Sequence, residues 1–104
     1  MERSEPPLPH DGRIGYIVTN QRNGTLYVGV TSDIARRAWE HREGVIEGFT
    51  KHYGLKRLVY VERHDEIADA IRREKRMKSW PRAWKINLIR EVNPNWNDLY
   101  RTLL

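Results

Sequence analysis

Three groups of side chains in this 104-residue chain are spaced so that they can do chemistry. The most informative single residue is Glu74. At about 100° per residue, Ile67, Ala70, Ile71 and Met77 fall on one face of a helix, and Glu74 points along the middle of that face. A carboxylate there carries a large desolvation cost unless a cation or hydrogen-bond donors meet it. It is either salt-bridged from the edge of the stripe to an arginine such as Arg37, or a ligand for a hard divalent ion. Mg2+ suits that role because it takes few protein ligands and keeps several waters.

Tyr16 and Tyr27 are the second group. A two-residue turn at Asn23-Gly24 pairs residues whose numbers sum to 23 + 24 = 47, which puts Tyr16, Tyr27 and Gly29 on one face. The missing side chain at Gly29 would leave a concave patch between the phenols where a phosphate can approach. This register offsets the tyrosines by roughly 13 Å along the strands, so a wider loop is needed to make them neighbours. The alternative is that they are ordinary strand residues in cross-strand contact. Arg37 and His41 are the third group. Spaced i, i+4, they project together from a helix; the guanidinium suits bidentate phosphate binding and the imidazole can exchange a proton near neutral pH. The alternative is a solvated helix face with an Asp33–Arg37 ion pair. Beyond these, Arg72, Arg73, Lys75, Arg76, Lys78, Arg82 and Lys85 form a basic run interleaved with Trp80 and Trp84. Such a run can track a phosphate backbone with aromatic groups available for stacking, unless the tryptophans are core. Trp39 and Trp84 are expected to be core.

The elements that must position these groups are legible in the periodicity. Ile14 to Thr19 and Leu26 to Val30 read as strands joined through Asn23-Gly24. A helix starts at Ser32, with Thr31 or Ser32 as cap, Asp33 complementing the dipole, an apolar stripe of Ile34, Ala35, Ala38 and Trp39, and Gly44 as its stop. Val45 to Gly54 reads as a loop or short turn with Phe49 and Tyr53 as aromatic anchors, and Leu58 to Val61 as a third strand. Asp65 caps a second helix to about Ser79. Trp80-Pro81 breaks it, and Pro81 opens a third helix to about Val92. Asn93-Pro94-Asn95 ends that helix, and Asn97 or Asp98 caps a last turn, Leu99 to Leu104. The order β-β-α-β-α-α makes this an α+β fold, a small three-stranded antiparallel sheet flanked by helices. Residues 1–12, with Pro6, Pro7 and Pro9, read as a flexible leader ahead of one domain over 13–104.

Composition narrows the partner. Lysine and arginine outnumber aspartate and glutamate by 19 to 14, a net charge of +5, which favours an anionic partner, nucleic acid first. The absence of cysteine excludes disulfides, iron–sulfur clusters and thiolate zinc sites, and His10, His41, His52 and His64 are too dispersed for a paired zinc signature. The N-terminus lacks the apolar segment of a signal peptide and no run approaches the ~18 apolar residues of a membrane span. A cytoplasmic protein is expected.

Taken in order, these residues resemble the GIY-YIG nuclease family, in particular its small single-domain bacterial members, over about Ile14 to Tyr100. Ile14-Gly15-Tyr16 stands where the family has Gly-Ile-Tyr, with the first two residues transposed, and Tyr27-Val28-Gly29 stands for Tyr-Ile-Gly. Leu26 through His41 looks like the family's second strand and first helix, with its arginine on Arg37 and histidine on His41. Ala70-Ile71-Arg72-Arg73-Glu74-Lys75 resembles the segment bearing the metal-binding glutamate, here Glu74. The tails Trp84-Lys85-Ile86-Asn87-Leu88-Ile89 and Asn93 to Tyr100 also look typical. The resemblance implies a metal-dependent endonuclease using Mg2+ (or Mn2+), with DNA a more natural substrate than RNA. Glu74 would hold the ion, Tyr27 would activate water with Tyr16 or His41 assisting, and Arg37 would bind the pentacovalent phosphate. Arg36, Arg73, Arg76, Lys78 and Asn87 would contact nucleic acid. The rival reading is a nucleic-acid binding module on the same fold without useful turnover.

Overall fold

The computed structural model describes residues 13–103; the proposed leader lies outside them. Strands β1 (Ile14–Thr19), β2 (Leu26–Thr31) and β3 (Arg57–Arg63) form an antiparallel sheet in the order β2-β1-β3. Helix α1 (Ile34–Glu43) and the single turn α2 (Phe49–His52) lie between β2 and β3. Helices α3 (Ile67–Ser79) and α4 (Arg82–Val92) and a 3-10 turn (Leu99–Leu103) follow. The α+β class and the three-stranded antiparallel sheet are as expected, with α2 added inside the anticipated loop.

The central strand explains the layering. β1 is covered on both faces, so buried side chains run consecutively along it instead of alternating with exposed ones. Ile14, Tyr16 and Val18 pack towards Ile34 and Ala38 of α1 with Leu55 and Leu58. Ile17 points the other way, into a cluster with Val28, Val59, Tyr60, Met77, Ile89 and Trp96.

The hairpin register differs from the expected one by two residues. Thr19 pairs with Leu26 and Tyr16 with Gly29, so the loop spans residues 20–25 and not Asn23-Gly24 alone. Side-chain bonds hold this wider loop: the Asn20 carbonyl oxygen accepts from the Thr25 amide at 3.0 Å and Thr19 Oγ1 donates to the Thr25 carbonyl at 2.7 Å. Asn23 does take a left-handed conformation (φ 57°). Between β1 and β3 the register slips at Ile17/Val18, leaving Val59 without a strand partner. The buried Asn93 at the end of α4 donates to the freed Val59 carbonyl at 3.1 Å, which satisfies that acceptor.

Several caps and core assignments are corrected. Asp33, not Thr31 or Ser32, caps α1, accepting from the Arg36 amide at 3.1 Å, while Thr31 Oγ1 accepts from the Asp33 amide. Asp65 does not cap α3; Glu66 stands at that position without a side-chain cap bond. Pro81 precedes α4 rather than opening it. Gly44 (φ 69°) ends α1 and Asp98 Oδ1 accepts from the Tyr100 amide at the last turn, both as expected. Trp39 and Trp84 are not core: α1 buries Ile34, Ala38 and His41, a phase that leaves Trp39 half exposed, and α4 buries Ile89. The core tryptophan is Trp96. Phe49 and Tyr53 are not anchors either, being 48% and 49% exposed.

Candidate active site

The register places the phenols. Tyr16 is buried in mid-β1, and its ring lies over Gly29 on β2, where a Cβ would come within 2.5 Å of the Tyr16 Cζ and hydroxyl oxygen. The space over Gly29 is therefore filled by Tyr16 and is not the open concave patch expected from sequence. Tyr27, two residues before Gly29 on the same face, meets Tyr16 edge to face with ring centroids 6.4 Å apart. The wider loop thus halves the offset between the tyrosines, from the four positions of the tight-turn register to two, which is short enough for the rings to meet.

Helix α1 brings the next two groups. Its buried line ends at His41, whose Nε2 lies 3.0 Å from the Tyr16 hydroxyl. Arg37, one turn earlier, brings its positive charge close enough to the same hydroxyl to oppose the effect of burial on it. Its Nε donates to Glu40 Oε1 at 3.0 Å, so the Asp33–Arg37 pair of the alternative reading gives way to a pairing within the next turn. Burial works against the Arg37 charge, but Tyr16 and Glu40 outweigh it and its pKa is raised.

Electrostatics divides the roles. Burial pushes the Tyr16 phenol up to about 12; Arg37 opposes the shift, whereas Tyr27 and Glu74 add to it. Tyr16 is thus a hydrogen-bond donor at neutral pH and a poor base. Burial, then the Arg37 charge, depresses His41 to about 4 against the pull of Glu40, so its imidazole is neutral. His41 Nδ1 is buried without a hydrogen-bond partner. An orphaned N–H is rarer than an under-used acceptor, which favours the tautomer protonated on Nε2. In that tautomer His41 donates to the Tyr16 oxygen and leaves the phenolic O–H free for a ligand.

Helix α3 supplies the carboxylate. Its buried line runs through Ala70 and Met77, while Ile67 and Ile71 are exposed, so the buried face is rotated from the expected one. Glu74 sits about 50° off that line, at its edge and not in its middle, with its side chain 17% exposed. Its Oε2 lies 3.3 Å from Lys78 Nζ, one turn on, and that ammonium stands 5.5 Å from the centre of the Tyr27 ring. The partner of Glu74 is therefore Lys78, not Arg37. Glu74 is close enough to Tyr16 to raise its pKa. Tyr16, Tyr27, Arg37, His41 and Glu74 converge, and Lys78 joins them.

A divalent ion fits this corner only with a single protein carboxylate. Among the described residues no three His, Cys, Asp or Glu side chains form a ligand cluster. Glu74 is ion-paired through one oxygen to a lysine whose side chain is 47% exposed, so the pair can open without unpacking the core. One carboxylate, waters and substrate oxygens make a set that Mg2+ accepts.

The remaining sequence candidates scatter. Arg36 is exposed and pairs with Glu40 at 3.4 Å. Arg73 is held by both oxygens of Glu62, at 3.0 and 3.1 Å, and stacks on Trp80. Arg72 pairs with Asp69, and Arg82 donates to the Asn23 and Gly24 carbonyls, so the basic run is divided between structural duties. Arg76 is exposed. Asn87 lines a groove with Trp80, Trp84, Leu88 and Glu91, away from the phenols. The role of Lys78 beside Glu74 escaped the sequence reading, although its i, i+4 spacing from Glu74 is the signal that reveals it.

Comparison with known proteins places the chain in a family. The family model described as the GIY-YIG catalytic domain matches residues 14–87. A UPF0213 protein of Staphylococcus saprophyticus is 36% identical over 70 residues, covering 67% of this chain and 85% of that protein. A UPF0213 protein of Staphylococcus aureus strain Mu3 is 33% identical over 81 residues, covering 78% of this chain and 98% of its own length. No solved structure matches the chain. With the family match extending over well more than half its length, the chain belongs to the GIY-YIG catalytic domain family.

Proposed function

We propose that the domain over residues 13–104 is a Mg2+-dependent endonuclease (Mn2+ substituting) that hydrolyses phosphodiester bonds in nucleic acid, DNA in preference to RNA, in the cytoplasm. The observation that carries this reading is the meeting of two phenols, a guanidinium, an imidazole and a carboxylate from four separate elements at one spot. Glu74 would hold the ion, whose chemistry is to polarise the scissile phosphate and stabilise the leaving oxygen. Arg37, one turn from His41, offers N–H groups to the phosphate oxygens as charge builds on them. Tyr16, protonated and held by His41, keeps its proton and donates a hydrogen bond to a phosphate oxygen instead of taking a proton from water. The water-activating role then falls to Tyr27, whose hydroxyl no side chain among the described residues hydrogen-bonds. His41 orients Tyr16, and its neutral ring adds no charge to compete with Arg37.

The test is Glu74→Ala in purified, metal-defined conditions. Cleavage of DNA should be abolished with the fold and most of the binding intact; undiminished cleavage would remove Glu74 from the mechanism. The Glu74–Lys78 pair favours one rival, a binding module whose carboxylate is permanently neutralised. Salt-sensitive binding by the wild-type protein with no product at any Mg2+ or Mn2+ concentration would select it.

A further inference from the structure

The aromatic row of the active site does not stop at Tyr27. Phe49 follows at a centroid distance of 6.3 Å, Tyr53 lies 4.7 Å beyond Phe49, and His52 meets Tyr53 edge-on at 4.7 Å. The segment is attached to the body by the buried Thr50 and Leu55, while its large aromatic side chains are turned outward. Gly48 at φ 110° and Gly54 at φ 65° bracket it, conformations that L side chains rarely adopt, so the projecting turn is built into the backbone. Glu47, Gly48, Phe49, Lys51, His52 and Tyr53 line an open surface groove.

We propose that Phe49 and Tyr53 form a stacking subsite for an unpaired base of the nucleic-acid substrate, next to the nucleotide whose phosphate lies at Tyr16, Tyr27 and Glu74. The proposal rests on the nuclease reading and adds the substrate class: single-stranded or locally unpaired nucleic acid. Half-exposed rings in a continuous row with the phosphate site offer π-faces to successive bases, whereas bases inside a duplex are already stacked and cannot reach them. Lys51, on the same turn, supplies positive charge beside the backbone path and, among the described residues, is tied only to the exposed Glu47 at 2.9 Å. The Trp80–Trp84 pair is a second aromatic cluster, but it opens on a groove lined by Glu91 and makes no ring contact with the phenols.

The experiment measures binding in EDTA, so that cleavage plays no part. Fluorescence anisotropy would compare a labelled oligothymidylate with a blunt duplex of equal length. Phe49→Ala and Tyr53→Ala should each weaken single-strand binding roughly 5- to 150-fold and leave duplex binding within about twofold. Phe49→Trp should retain it and Phe49→Leu should not, with circular dichroism checking the fold throughout. Should an alanine variant fail to fold, photocrosslinking of a 5-iodouracil-containing strand to the wild-type protein decides: adducts on Phe49 or Tyr53 support the subsite, and adducts elsewhere only overturn it. Unchanged single-strand affinity in folded variants, or equal loss for both substrates, refutes the subsite while leaving the nuclease reading standing. Failure of the wild-type protein to bind any nucleic acid removes both.

Discussion

Gly29→Ala is the perturbation whose outcome the geometry determines most tightly. Neither Gly29 nor Gly15 has the positive φ that only glycine tolerates well, so the two positions differ in space alone. A Cβ at position 29 would lie 2.5 Å from the Tyr16 Cζ and hydroxyl oxygen and 2.7 Å from Cε1. Tyr16 is 1% exposed, so its ring cannot swing into solvent without unpacking the core it shares with Ile34 and Ala38. Overpacking of this kind costs about 1–3 kcal/mol. At about 4–8 °C per kcal/mol for a domain of this size, thermal unfolding should fall by roughly 5–20 °C. The control is Gly15→Ala, whose Cβ meets nothing nearer than the Glu62 carbonyl oxygen at 3.9 Å; it should be neutral or stabilise by about 0.4–1 kcal/mol. The assay is thermal denaturation followed by circular dichroism, repeated in a Tyr16→Leu background that lacks the clashing ring atoms. There the cost of Gly29→Ala should shrink below about 0.5 kcal/mol, the level at which independent sites add. Equal cost in both backgrounds would refute the claim that Gly29 exists to admit the Tyr16 phenol.

Three further outcomes follow from the same contacts. His41 titrates at about 4 in the folded chain and near 6.5 unfolded, so its contribution is fully present above pH 6.5 and is lost as pH falls towards 4. That contribution is on the order of 3 kcal/mol at most, and His41→Gln should flatten the stability–pH profile across this window relative to wild type. Lys78→Ala frees the second oxygen of Glu74 and should tighten Mn2+ binding, followed by electron paramagnetic resonance, by the roughly 1.5- to 5-fold expected of a partly exposed ion pair; weaker binding would contradict the assigned competition. Asn93→Ala leaves the Val59 carbonyl unsatisfied at the bulge and should lower stability in urea by about 1–3 kcal/mol, and a change below about 0.5 kcal/mol would show that the bulge stands without it.

The ladder of elements was legible because its punctuation is local: Gly44 and Asn93-Pro94 act within a few residues of themselves. What local pattern could not supply was phase. A rotation of each helix by part of a turn decides that Trp39 faces water while His41 is buried, and that Ile67 and Ile71 give way to Ala70 and Met77. Those choices depend on how the helix meets the sheet, which no window of one helix contains. The hairpin register was misread because Asn23-Gly24 signals a two-residue turn, whereas bonds from Thr19 and Asn20 to Thr25 hold a longer loop. The residues proposed for the site could nonetheless be named from sequence, since type and order carry the family pattern regardless of phase. Their mutual relations were not: Arg73 is committed to Glu62, and Lys78 to Glu74.

The most direct test of the central claim is anomalous diffraction from crystals of the protein soaked in Mn2+. The account expects one strong peak within coordination distance of a Glu74 carboxylate oxygen, on the side facing the Tyr16 and Tyr27 rings, with Lys78 displaced. A Glu74–Lys78 pair still closed at saturating Mn2+, with no peak beside it, would contradict the account.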